Sequence, residues 1–87
     1  MPYIKSKDRV KFQKNIDELT NLFIESDIQA GEVNYVLSKI IWNLFNRKKK
    51  YDTACKLCGV LSNVKDEFYR RQVIPYEDFK IHEEGDI

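Results

Sequence analysis

Eighty-seven residues make one small domain, near the lower range at which a single core holds a chain folded. A hydrophobic fraction of 43 %, with five Phe, five Tyr and one Trp, is ample for a core, while only three Gly and two Pro favour long helices over turns. The charged residues nearly cancel to +1, which excludes a global field that would draw in nucleic acid or a membrane.

The chain opens with Met1-Pro2-Tyr3-Ile4, too short for an element but apolar enough to pack as an arm. A first helix is predicted over about 7–26, because Phe12, Ile16, Leu19 and Phe23 recur at steps of four, three and four and so share one face. Asp27-Ile28-Gln29-Ala30-Gly31-Glu32 is the expected break, with Gly31 as its flexible point. A second helix follows over about 32–46. Its stripe of Val33, Val36, Leu37, Ile40, Ile41, Leu44 and Phe45, with Tyr35 and Trp42 beside it, leaves it apolar over most of its girth. Such a helix is normally sandwiched or faces another subunit. Arg47-Lys48-Lys49-Lys50 closes it with cations at the negative end of the helix dipole.

The third helix is expected over about 53–73. Ala54, Leu57, Leu61, Val64 and Phe68 step by three, four, three and four, a heptad-like seam. Ile74 precedes Pro75, and a residue before proline is pushed away from helical angles, which predicts a stop. In the tail, 75–87, Phe79 and Ile81 alternate with polar neighbours, as in an extended arm. No repeat, low-complexity tract or second domain interrupts the pattern.

Charge is uneven along the chain: residues 1–50 carry ten Lys/Arg against six Asp/Glu (+4), and residues 51–87 carry five against eight (−3). A molecule so divided holds itself together, or pairs with a copy of itself, electrostatically. No apolar run approaches the roughly 18 residues of a membrane span, and the N-terminus has no signal-peptide pattern. Two cysteines in that setting suit a reducing cytosol, so the chain is expected to be soluble and cytoplasmic.

Catalytic and metal chemistry find little to work with. Cys55 and Cys58 form a CxxC, but zinc needs four ligands and the other soft ligand, His82, is far along the chain. A redox pair would need a βαβ setting, so the two thiols are read as buried packing groups. His82 is the lone histidine, and Glu77 and Asp78, adjacent in an extended segment, point to opposite faces. Neither supplies a nucleophile–base constellation. No glycine-rich phosphate loop exists. The expectation is a chain that is not an enzyme and takes no cofactor and no metal. The basic run at 47–50 is read as a solvated helix end and not as a nucleic-acid contact.

Residues 67–81, EFYRRQVIPYEDFKI, are the candidate site. One reading is local: Asp66 with Arg70 and Glu67 with Arg71 are i, i+4 ion pairs, and the tail clamps the helix end. The other is a ligand site. Guanidinium forks suit phosphate and tyrosine faces suit stacking, and a chain reversal at Pro75 would carry Tyr76 and Asp78 back over Arg71. The two readings are compatible.

MPYI at the start, GEVNYVLSKIIWNLF in the middle and DEFYRRQVIPYEDFKIHEEGDI at the end resemble a family of short uncharacterised proteins from bacteria and their phages. The likeness covers most of the chain, with Glu84 where that family's pattern has asparagine and with two cysteines added. It implies that Asn34 and Tyr35 belong with the terminal cluster, and it implies no particular activity. In size and helical character the chain is also similar to small phage inhibitors that form symmetric oligomers and sequester nucleotide signals of bacterial immunity, an analogy of architecture alone.

Together these observations predict an all-α domain of three helices, with extended N- and C-terminal arms, that self-associates through the second helix. The expected function is non-enzymatic binding of a phosphorylated, nucleotide-like ligand. Arg70 and Arg71 would hold phosphate, Tyr35, Tyr69 and Tyr76 would stack, and Asn34 and Asp78 would orient by hydrogen bonds. The alternative is a protein–protein adaptor or inhibitor acting through the apolar second helix and the acidic tail.

Overall fold

The computed structural model describes residues 3–87; Met1 and Pro2, the start of the expected N-terminal arm, lie outside the described residues. The fold is all-α, and no strand occurs among the described residues. Tyr3 to Lys5 have no regular structure, and the Arg9 Nε donates to the Ile4 carbonyl at 3.2 Å. Two compact units partition the chain, Met1–Ile40 and Ile41–Ile87.

In the first unit, α1 is Ser6–Glu25, within a residue of expectation at each end, and α2 begins at Ala30 and continues to Arg47 in the second unit. The break between them differs from the expectation. Gly31 is already helical, and the reversal is made by Asp27 (φ 60°) and Ile28 (φ 53°) in the left-handed region. The hydrogen bonds explain why. The Asp27 N–H donates to Ile24 O (3.0 Å) and the Ile28 N–H to Phe23 O (2.9 Å), the paired 5→2 and 6→1 bonds of a Schellman stop. Asp tolerates that conformation better than most residues, whereas a β-branched Ile there is strained. Gln29 then starts α2, its carbonyl accepting from the Glu32 and Val33 N–H groups.

In the second unit, α3 is Tyr51–Phe68 and starts after Lys50, whose extended backbone opens the helix. The expected stop at Pro75 is overturned. A π turn, Tyr69–Val73, follows α3 directly, and α4, Ile74–Glu84, follows that; the tail expected to be extended is a helix to Glu84. Ile74 keeps helical angles (φ −59°, ψ −49°) in spite of the proline after it.

The π turn is what reconciles the two. In an α-helix, Pro75 would leave the Arg71 carbonyl without its donor and press its ring against it. Here the Ile74 N–H donates five residues back, to Tyr69 O, so the turn widens just where the ring needs room. Pro75 then occupies the first turn of α4, directly behind the widened turn. Gly85 ends α4 at φ 89°, its N–H on Ile81 O at 2.8 Å, a conformation that costs glycine little.

The expected core is not found among the described residues. Among the described residues none is buried. The seam positions Leu19, Phe23, Val33, Val36, Ala54 and Leu57 are half-covered, and Phe12, Ile16, Leu61, Val64 and Phe68 lie open. Cys55 and Cys58, expected to be buried, are free and exposed. No helix among the described residues is long and apolar enough to cross a membrane.

Candidate functional site

The predicted site residues divide between the two units. Asn34 and Tyr35 stand on α2 in the first unit, and Tyr69, Arg70, Arg71, Tyr76 and Asp78 on the π turn and α4 in the second.

In the first unit, Asn34 is tied into its own helix, its Oδ1 accepting from the Ser38 hydroxyl one turn on, at 3.0 Å. Tyr35 is exposed and lines a groove of about 370 Å³ between the end of α1 and the start of α2. Leu19, Leu22, Phe23 and Val36 make its apolar wall, and Glu32 contributes its one charge. Gly31 at its edge adds no side chain that would fill it.

In the second unit, the π turn decides which side chains meet. A π turn advances less per residue than an α turn, so the side chains after it are set back around the helix axis. Residues eight apart in an α-helix face about 80° away from each other. The widened turn cancels most of that and brings Glu77 nearly into line with Tyr69. The Tyr69 hydroxyl accordingly donates to Glu77 Oε1 at 3.2 Å. That hydrogen bond first, then the negative charge of Glu77, and to a lesser degree desolvation, push the Tyr69 phenol above the ordinary tyrosine range.

The arginines follow the local reading in kind but not in partner. Arg70 Nη2 meets Glu67 Oε2 at 2.8 Å, an i, i+3 pair, in place of the expected Asp66. Arg71 is also engaged. Tyr76 and Asp78 are exposed on α4. Because α4 continues the helix, no reversal at Pro75 folds Tyr76 and Asp78 back over Arg71. Farther along, Lys80 Nζ meets Glu84 Oε1 at 2.7 Å, and Lys56 meets Asp52 at 3.1 Å. Each such exposed pair contributes about 0.2–0.5 kcal/mol. No group of three or more His, Cys, Asp or Glu among the described residues is placed to hold a metal ion.

The apolar stripe expected on the second helix is open on one side, and open apolar surface extends to α3 and α4. On α2, Leu37, Ile40 and Leu44 follow Val33 at steps of four, three and four, and all three are exposed. Trp42 stands beside them at 61 % exposure. On α3, Leu61, Val64 and Phe68 are exposed, as are Tyr76 and Phe79 on α4. The heptad spacing was the available signal. It establishes which residues share a face, whereas what covers that face is a separate matter.

A family model described as a domain of unknown function (DUF6899) matches residues 1–87. The chain belongs to that family. No curated protein and no solved structure matches it.

Proposed function

We propose that this chain is a non-enzymatic protein-interaction module of the cytoplasm, an adaptor or inhibitor that assembles with copies of itself through the apolar ridge of α2. The observation that carries this reading is the Leu37–Ile40–Leu44 ridge, exposed on a helix whose remaining faces are half-covered at best. Helices of this length are marginal in water without tertiary packing. Their stability has to come from burying such a ridge, and a second protein surface supplies the burial.

The phosphorylated-ligand reading, with nucleotide sequestration in phage anti-defence as its form, draws on the exposed Tyr76 ring and the neighbouring arginines. It draws less support from the geometry, since Tyr69 and Arg70 are satisfied by Glu77 and Glu67.

One pair of measurements separates the two. Sedimentation equilibrium at micromolar concentration is expected to give a mass above the 10.4 kDa of one chain. A monomer at 10.4 kDa would overturn the interaction reading. In parallel, melting is followed with mononucleotides, cyclic dinucleotides and ADP-ribose. A ligand at 100-fold its dissociation constant stabilises by about 2.7 kcal/mol. Such a shift would favour the nucleotide reading, and no shift across the panel leaves the interaction module ahead.

A further inference from the structure

We infer that the helix running from Tyr51 to Glu84 pairs antiparallel with the same helix of a second copy, the basic turn of each lying against the acidic end of the other. The inference rests on self-association and adds a second surface, distinct from α2, together with its direction and alignment.

Eighteen residues of α3, five of the π turn and eleven of α4 make 34 consecutive helical residues. That is about 50 Å of helix at 1.5 Å per residue. Along it, Ala54, Leu57, Leu61, Val64 and Phe68 hold one face. In an unbroken α-helix Phe79, three turns beyond Phe68, would keep to that face, but Tyr76 would lie about 80° off it, with Pro75 in its place. The rotation taken up by the π turn sets α4 back so that Tyr76 comes onto the line of Leu61 and Phe68, with Phe79 at its edge. From Leu61 to Phe79 the apolar residues of this face are exposed, Phe68 and Tyr76 at 61 % each. A strip as long as this helix and about 10 Å wide is roughly 500 Å² per copy, or about 1,000 Å² in a pair, the lower bound of a specific interface.

The ends of the helix carry opposite charge. Arg47, Lys48, Lys49 and Lys50 lead into it, and Glu83, Glu84 and Asp86 close it. A two-fold axis sets residue i against j and j against i. The apolar face, Ala54 to Phe79, has its midpoint between Asp66 and Glu67. An axis through that midpoint, chosen from the apolar residues alone, brings the basic turn before Tyr51 of each copy beside the Glu83–Glu84 end of the other's helix. A parallel pair would instead stack four cations on four cations. Apolar alignment and charge alignment therefore select the same arrangement.

The test uses the full chain in three forms: Lys48→Glu with Lys49→Glu and Lys50→Glu; Glu83→Lys with Glu84→Lys and Asp86→Lys; and all six substitutions together. All the sites are exposed, and circular dichroism checks that helicity is kept. At low salt each triple reversal is expected to weaken self-association by about 10-fold or more, and the six-fold swap to restore it. Triple variants that associate as tightly as the native chain, or a swap that fails to restore association, would overturn the antiparallel arrangement while leaving self-association standing. A native chain that sediments as a monomer would overturn both.

Discussion

Replacing Leu44 by alanine deletes most of one side chain from the exposed ridge of α2. Fully burying a leucine side chain is worth about 1.5–3 kcal/mol. Leu44 is 50 % exposed, so half of its surface is still available to a partner. About 0.8–1.5 kcal/mol is then lost per copy. In a symmetric pair the loss counts twice, about 1.5–3 kcal/mol, which weakens the dissociation constant by roughly 10- to 150-fold. Sedimentation across a concentration series reads the change directly. Helicity at 222 nm is expected to fall with dilution alongside it, because the separated helices lack the packing that holds them. Val10→Ala is the control: Val10 is 74 % exposed on α1, a different helix from the ridge, and its truncation is expected to leave association unchanged. A Leu44→Ala chain that associates as tightly as the native one would refute the assignment of α2 as an interface.

Ile28→Gly is expected to stabilise the chain, since Ile28 holds φ 53° and is 67 % exposed. Relief of the left-handed backbone returns roughly 1–2 kcal/mol, and the added freedom of glycine in the unfolded chain takes back about 0.5–1, for a melting rise of a few degrees. A lower melting temperature would contradict the turn geometry. Glu77→Gln is expected to bring the Tyr69 phenol back toward the ordinary value of 10.0. Because the Tyr69 pKa is raised in the folded chain, its contribution is complete below pH 10 and fades as pH climbs through the folded value. An absorbance titration should show a late phenol component that Glu77→Gln removes; identical curves would refute the Tyr69–Glu77 bond.

The positions of the helices were legible in the residues. The four-three-four spacing of Phe12, Ile16, Leu19 and Phe23 and the seam from Ala54 to Phe68 are short-range regularities, and α1, α2 and α3 follow them closely. Pro75 and Gly31 misled for a shared reason: both were read as residue types with fixed habits, and the hydrogen-bond pattern around each decided otherwise. The stop after α1 lies at Asp27 and Ile28 because the orphan carbonyls of Phe23 and Ile24 are met there. Nothing in the pattern of residues 69–73 announced a π turn, since its cause is the collision between one proline ring and one carbonyl in a helix that otherwise continues.

Of the candidate site, an ion pair at Arg70 was readable from spacing but its partner was not, Glu67 standing where Asp66 was expected, and the Tyr69–Glu77 bond was not readable, because it depends on the extra rotation of that turn. The sequence by itself determined that this is an all-α chain with apolar stripes along its helices. Tertiary structure alone decided that no described residue of those stripes is fully buried and that α4 aligns with α3, because periodicity sets which side chains share a face, while burial depends on what arrives to cover them.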